Sequence, residues 1–279
     1  MRLNTLYLTD LDGTLLDAHG RLSPRSARGL RALYDAGVVV SVATGRSWAA
    51  AVGVLEGAPF RAPLVLLGGA RVCDAQTGAI LREHVLSPAC IRAVLEVLRG
   101  AGLSPLFYTQ NARDEQCVYY ERRADAAVHA YVASLRAQGD DRFHEVGRLE
   151  ERLSEKGFYL TARGERARLE PLLPELLRLG AYAYLYHGVR AQGCFLEITP
   201  VSKRAGVEEL RALTGARRIV AFGDNGNDAG LFAGAEERIA VRNATPEILE
   251  MADRVIGPNT EDAVVRCIAE MEGLDPDRL

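Results

Sequence analysis

Leu6-Tyr7-Leu8-Thr9-Asp10-Leu11-Asp12-Gly13-Thr14 carries an apolar strand straight into two carboxylates and a glycine. Side chains alternate along a strand, so acids two residues apart point the same way. Where the strand gives out into a loop, both can face one reaction centre. Gly13 lets the chain turn away sharply at that point. A calcium loop starting at Asp10 does not fit, because its sixth position is Leu15 instead of glycine and its twelfth is Arg21 instead of glutamate. Taken alone, the stretch reads first as a surface Asp-Gly turn, and the rest of the chain has to decide.

Outward from this strand, Ser23-Pro24 caps a helix to about Ala36, and Gly37 ends it. Val38-Val39-Val40-Ser41-Val42-Ala43 is a nearly continuous apolar run, the pattern of a strand buried on both faces of a parallel sheet. Thr44-Gly45-Arg46 stands at its carboxyl end. A helix from Ser47 to about Glu56 and a strand from Pro63 to Leu67 complete a β-α-β-α-β series. That series predicts an α/β fold, a doubly wound, Rossmann-like parallel sheet with its sites at the carboxyl ends of the strands.

The pattern then changes. Short strands at Ala70 to Cys73 and Ala79 to Val85 precede helices near 88–100, 124–137 and 165–178, which alternate with strands near 104–109, 117–121, 157–162 and 181–187. This stretch holds eight of the ten tyrosines. Tyr182, Tyr184 and Tyr186 alternate with Ala181, Ala183 and Leu185, a tyrosine face that suits either a half-exposed sheet or a substrate-facing surface. From Gly193 the parallel pattern resumes, with a strand at Cys194 to Ile198, a helix from Ser202 to about Thr214, and a buried strand at Arg218 to Phe222. Ile239 to Val241, a helix from Pro246, Val255-Ile256 and a helix capped near Thr260 close the chain. The expected organisation is a discontinuous core, residues 1–82 and 191–279, interrupted by an α+β domain at 83–190.

Composition narrows the function. The 279 residues are 48% hydrophobic with a net charge of -3 and no run of like charge, so no nucleic-acid or membrane-surface footprint is present. No apolar run approaches the roughly 20 residues that span a bilayer, and a cytoplasmic location is expected. The five cysteines form no C-x-x-C pair, which argues against a zinc site. Of the 34 basic residues only Lys156 and Lys203 are lysines, so a lysine marks a position where arginine was not used.

Gly223-Asp224-Asn225-Gly226-Asn227-Asp228 is a second acidic, glycine-rich loop after a buried strand, brought to the same sheet edge as Asp10 and Asp12. Two such loops offer the hard oxygen ligands that suit Mg²⁺ shared with a substrate phosphate. Thr44 adds a hydroxyl and Lys203 a point positive charge. A carboxylate nucleophile, a magnesium site, a hydroxyl and a lysine are the parts that phosphoryl transfer uses. The chain has no G-x-S-x-G, no G-x-x-x-x-G-K-[ST], no G-x-G-x-x-G and no H-E-x-x-H, so four competing chemistries lose support.

Asp10-Leu-Asp12-Gly-Thr14, Ala43-Thr44-Gly45-Arg46, Lys203 and Gly223 to Asp228 together resemble the four motifs of the haloacid dehalogenase-like superfamily. The insertion between the second and third resembles the α/β cap of its Cof-like phosphatases. The resemblance implies that Asp10 attacks phosphorus and that Asp12 protonates the leaving oxygen and later activates water. It implies Mg²⁺ held by Asp10, the backbone carbonyl of Asp12 and Asp224, supported by Asp228. It further implies a phosphoryl group bound by Thr44, Gly45, Arg46, Lys203 and Asn227. Three positions depart from the usual pattern: Gly68 stands where relatives carry asparagine, and Arg204 and Ala263 where they carry glycine.

The expected activity is a Mg²⁺-dependent phosphatase for a small phosphorylated metabolite, a sugar phosphate foremost, with flavin-precursor and pyridoxal phosphates next. A metabolite-binding or regulatory protein of the same fold and a phosphomutase are the alternatives. Neither the substrate nor the oligomeric state is legible in the residues.

Overall fold

The computed structural model describes residues 4–55, 58–111, 116–137, 139–187 and 194–276. The chain divides into two compact units, Met1–Glu83 with Val201–Leu279, and His84–Pro200.

The first unit begins with β1 (Thr5–Thr9), α1 (Pro24–Asp35), β2 (Val40–Val42), α2 (Trp48–Val54) and a hairpin series β3 (Leu64–Leu66), β4 (Arg71–Cys73) and β5 (Ile80–Glu83). Helix α1 starts where its residues direct it: Ser23 Oγ accepts from the Ser26 N–H at 2.9 Å, and Pro24 fills the first helical position. Strands β3, β4 and β5 pair antiparallel, while an isolated parallel bridge from Ala43 to Val65 aligns β3 beside the chain leaving β2.

The second unit contains α3 (Pro88–Gly100), β6 (Leu106–Gln110), β7 (Gln116–Glu121), α4 (Ala126–Arg136), β8 (Phe143–Val146), β9 (Lys156–Gly164), α5 (Arg166–Leu169), α6 (Leu173–Arg178), β10 (Tyr182–His187) and β11 (Cys194–Thr199). Its six strands form one sheet in the order β10-β11-β9-β6-β7-β8. One face buries Phe107, Leu160, Leu196 and Ile198 in a cluster with Ile91, Leu95 and Leu98 of α3 and Leu176 of α6. The other buries Tyr108, Val118 and Tyr120 with Val128 and Val132 of α4.

The chain returns to the first unit with α7 (Lys203–Thr214), β12 (Arg218–Gly223), α8 (Ala229–Ala233), β13 (Glu237–Val241), α9 (Pro246–Met251), β14 (Arg254–Ile256) and α10 (Ala263–Met271). The order β14-β13-β12-β1-β2 is parallel throughout. From β1 the chain winds to β2 on one side, and from β12 it winds to β13 and β14 on the other. The carboxyl ends of β1 and β12 therefore flank the point where the winding reverses, the usual place for a ligand in such sheets. Leu6, Leu8, Ile219, Val220, Ala221 and Phe222 are fully buried there, each large side chain contributing about 1.5–3 kcal/mol of transfer free energy.

Three local expectations are corrected. Cys194–Thr199, read as a strand of the parallel sheet, pairs antiparallel with β10 and β9; a continuous apolar run reports burial on both faces and says nothing about strand direction. The helix expected over 165–178 is broken into α5, a 3₁₀ turn at Glu170–Leu172 and α6, with Pro171 and Pro174 in the interrupted stretch. β8 was not anticipated, because His144 and Glu145 are exposed and only Phe143 and Val146 are buried. The last helix begins near Thr260 as expected: Thr260 lies in a 3₁₀ turn, and Asp262, in a left-handed conformation (φ 55°), is the N-cap residue and makes no side-chain cap hydrogen bond.

The tyrosine face of β10 packs within its own unit. Tyr184 is buried and its hydroxyl donates to Glu197, and the Tyr186 ring stacks on Phe195 with centroids 5.2 Å apart.

Candidate active site

The Asp10 N–H continues the β1 ladder by donating to Phe222 O at 2.9 Å, so its side chain emerges at the β1–β12 edge. The chain then makes a wide five-residue turn, Leu11–Leu15, in which Gly13 has φ 83°. A Cβ at Gly13 would lie 2.4 Å from Asp224 Oδ2, so both the backbone conformation and the space require glycine. Two asparagines hold this turn from the far loops. Asn243 Nδ2 donates to Gly13 O at 2.8 Å, and Asn259, whose N–H donates to Asn243 Oδ1 at 2.9 Å, reaches Leu16 O at 2.8 Å.

Beyond β12 the second acidic loop closes on itself. Asp228 Oδ2 accepts from the N–H groups of Asp224 (2.9 Å) and Asn225 (3.1 Å), while its Oδ1 faces Lys203. Thr14 Oγ1 donates to Asp224 Oδ1 at 2.7 Å and ties the first acidic stretch to the second.

Lys203, the first residue of α7, is 1% exposed and lies between two carboxylates, 2.7 Å from Asp10 Oδ1 and 2.6 Å from Asp228 Oδ1. Burial alone would lower the lysine, but Asp10 and Asp228 outweigh it and hold the ammonium charged. Burial also raises the Asp10 carboxyl well above the ordinary range; Lys203 opposes this, and Asp228 and Asp224 add to it. Asp224 is pushed up to about 7 by burial first and the Asp228 charge second, against the Thr14 hydrogen bond.

Oxygens of Asp10, Asp224 and Asp228 lie within 4.8 Å of one another, all three residues buried. Three carboxylates facing one ammonium leave an excess of buried negative charge, the condition a divalent cation relieves. The donors are all hard oxygens, which fit Mg²⁺. Asn227 Oδ1 is buried with no hydrogen-bond partner, a further polar atom in the loop that carries Asp224 and Asp228.

The Thr44 loop is held by the turn after β3. The Thr44 N–H donates to Val65 O at 2.9 Å, and Thr44 O accepts from Gly68 N–H at 3.0 Å. Arg46 O accepts from the Leu67 N–H at 3.1 Å, and Thr44 Oγ1 from the Arg46 N–H at 3.2 Å. Leu67 (φ 51°), Gly68 (φ 64°) and Gly69 (φ 103°) all occupy left-handed conformations, and a Cβ at Gly69 would lie 2.4 Å from Ser202 O, beside Lys203. Strain at Leu67 thus sits where the loop carrying Thr44 meets the helix carrying Lys203. Gly45 is half-buried, and a Cβ there would meet nothing within 4 Å. Arg46 extends to Asp12, Nε 2.7 Å from Oδ2 and Nη2 2.6 Å from Oδ1.

A family model described as haloacid dehalogenase-like hydrolase matches residues 7–268. The chain belongs to the haloacid dehalogenase-like hydrolase family. Among curated relatives it is 24% identical over 269 residues to the pyridoxal phosphate phosphatase YbhA of Escherichia coli, covering 93% of this chain and 95% of that one. It is also 24% identical over 272 residues to the 5-amino-6-(5-phospho-D-ribitylamino)uracil phosphatase YitU of Bacillus subtilis, covering 95% and 96%. The fold matches solved family structures: the phosphatase BT1666 of Bacteroides thetaiotaomicron (TM-score 0.79, 20% identity, 97% and 96% covered) and the sugar phosphatase BT4131 (TM-score 0.75, 18% identity, 96% and 99% covered).

Within this haloacid dehalogenase fold, Asp10, Lys203, Asp224 and Asp228 form one buried cluster, Asp12 and Arg46 form a pair, and Thr44 is set by the β3 turn. Sequence reasoning did not single out Asn243 and Asn259, whose role is visible only through the carbonyls they bind 230 and 243 residues away. Thr14 belongs to the first acidic motif, and its partner, Asp224, lies 210 residues along the chain. Among the described residues no helix is long and apolar enough to cross a membrane.

Proposed function

We propose that this chain is a Mg²⁺-dependent phosphatase that hydrolyses a small phosphorylated metabolite, a sugar phosphate foremost, through an aspartyl-phosphate. The observation that carries the reading is the buried lysine between Asp10 and Asp228, with Asp224 completing three carboxylates at the point where the winding of the sheet reverses.

Asp10, Asp224 and the backbone carbonyl of Asp12 would hold Mg²⁺, with Asp228 supporting them. When bound, the cation neutralises charge on the phosphoryl oxygens and on the clustered carboxylates. Lys203 fixes the Asp10 carboxylate through Oδ1, which orients it for attack on phosphorus. Thr44, Lys203 and Asn227 supply the donors that bind the phosphoryl group. Asp12, on the open side of the site at 45% side-chain exposure, passes a proton to the leaving oxygen and later takes one from water. The insertion serves as a cap that selects the substrate, and the relatives, phosphatases of pyridoxal phosphate, of a phosphoribitylamino-uracil and of sugars, support a small phosphorylated metabolite as that substrate.

The test is phosphate release across a panel of phosphorylated metabolites that includes sugar phosphates, pyridoxal phosphate and flavin-precursor phosphates, each with Mg²⁺ and with chelator. Metal-dependent release is expected. No release from any member sinks the reading, and a phosphorylated isomer in place of free phosphate would replace hydrolysis by a mutase reaction.

A further inference from the structure

Arg46 stands in the loop that would face the phosphate, yet its guanidinium is directed at a carboxylate. Both prongs are short, Nε to Asp12 Oδ2 at 2.7 Å and Nη2 to Asp12 Oδ1 at 2.6 Å. The third nitrogen, Nη1, donates to Ala50 O at 3.4 Å, and the Leu67 N–H holds the residue's own carbonyl. The two side chains are 25% and 45% exposed, and an ion pair so exposed contributes only about 0–1 kcal/mol to stability. Stability is therefore a weak reason for a two-pronged pair at this place. What a guanidinium fork does well is fix the plane and direction of a carboxylate, which a point charge cannot do.

We propose that Arg46 is a positioning residue for Asp12, gripping the carboxylate that Asp12 becomes once its proton has gone to the leaving oxygen, and that it does not serve the phosphoryl group. The inference rests on the phosphatase reading above. In the first half-reaction an Asp10 oxygen bonds to phosphorus, and the bond to the leaving oxygen breaks with its electron pair going to that oxygen. The Asp12 proton follows it, giving the alcohol, the aspartyl-phosphate and an Asp12 carboxylate in the Arg46 fork. In the second, Asp12 takes a proton from water as the water oxygen bonds to phosphorus. The bond to Asp10 then breaks, releasing phosphate and restoring both side chains.

The experiment compares kcat/KM on two substrates in the Mg²⁺-loaded full-length protein. 4-Nitrophenyl phosphate loses a stable nitrophenolate that needs little protonation, whereas glycerol 2-phosphate loses an alkoxide that needs it. Arg46→Ala should lower kcat/KM on the alkyl ester by at least about tenfold more than on the aryl ester. Arg46→Lys, which keeps the charge and loses the fork, should fall between, and it carries the same comparison should the alanine variant not fold. In an Asp12→Asn background the further effect of Arg46→Ala should be less than about twofold, because the two residues act as a unit. Equal losses on both substrates, or additive losses in the Asp12→Asn background, would place Arg46 on the phosphoryl group and overturn the proposal. Wild-type protein that releases phosphate from neither ester nor any metabolite of the panel removes the phosphatase reading itself, a separate and recognisable failure.

Discussion

At the scale of single residues the buried cluster makes opposite demands on charge and on shape. Asp10 is one of three carboxylates facing one ammonium, so replacing it with the nearly isosteric asparagine removes the proposed nucleophile and also part of an uncompensated buried charge. Asp10→Asn should therefore abolish turnover while its melting temperature in chelator at pH 8 stays at or above that of the parent. Substantial phosphate release by this variant would disprove Asp10 as nucleophile. Lys203 is constrained in shape. Its ammonium fits between oxygens 2.7 and 2.6 Å away at 1% exposure, where a broad planar guanidinium needs more room. Lys203→Arg should cost at least about tenfold in kcat/KM, about 1.4 kcal/mol of transition-state stabilisation. Lys156, exposed at the start of β9, should accept arginine with no measurable effect on the same assay. Small and equal effects at the two lysines would mean that Lys203 acts through charge alone.

At the scale of elements, the turn after β3 joins the loop carrying Thr44 to the helix carrying Lys203. Leu67, left-handed without being glycine, costs energy locally, and Leu67 and Gly68 are held by hydrogen bonds to Arg46 and Thr44. Gly69 is the least replaceable, since a Cβ there meets a backbone oxygen at 2.4 Å that no side-chain rotation can move. Gly69→Ala should destabilise by at least about 2 kcal/mol and lower kcat as well, because relief of the clash displaces Lys203. Gly68 is different: at φ 64° and ψ 21° it occupies a conformation that asparagine tolerates. Gly68→Asn should thus leave the melting temperature within about 2 °C of the parent, and a large drop would show that the site has been rebuilt around glycine.

At the scale of the whole molecule, the acidic cluster couples stability to pH and, on the proposed function, to metal. The Asp224 carboxyl is pushed up to about 7 from an ordinary 3.8, and Asp10 moves in the same direction. Because the folded value lies above the unfolded one, folding favours the protonated form. The stability this supplies is complete below about pH 4 and is lost as pH rises through about 7. In chelator, wild type should lose stability relative to Asp224→Asn between pH 5 and pH 8. Mg²⁺ should restore it at pH 8 far more than at pH 5, because cation and proton compete for the same oxygens. Thermal melting of both proteins at the two pH values checks this. A wild-type advantage that grows with pH in chelator would contradict the assigned direction.

The residues alone were enough for β1, β2, β12 and β13 as strands of the parallel sheet, the capped helix α1, and the two acidic loops that meet at one edge of that sheet. Each of those is written locally, as a continuous apolar run, a Ser-Pro start, or a short motif whose place at a strand end follows from the fold class. Tertiary structure decided what depends on partners far along the chain. Cys194–Thr199 has the composition of a central strand, and only pairing with β9 and β10 makes it antiparallel. Arg46 and Asp12 stand 34 residues apart, so nothing local could distinguish a phosphate-facing arginine from one that grips a carboxylate. Local pattern reports how much of a residue is buried and in what backbone conformation. Which group it touches is set by the long-range packing that brings distant segments together, and that packing placed Lys203 between Asp10 and Asp228.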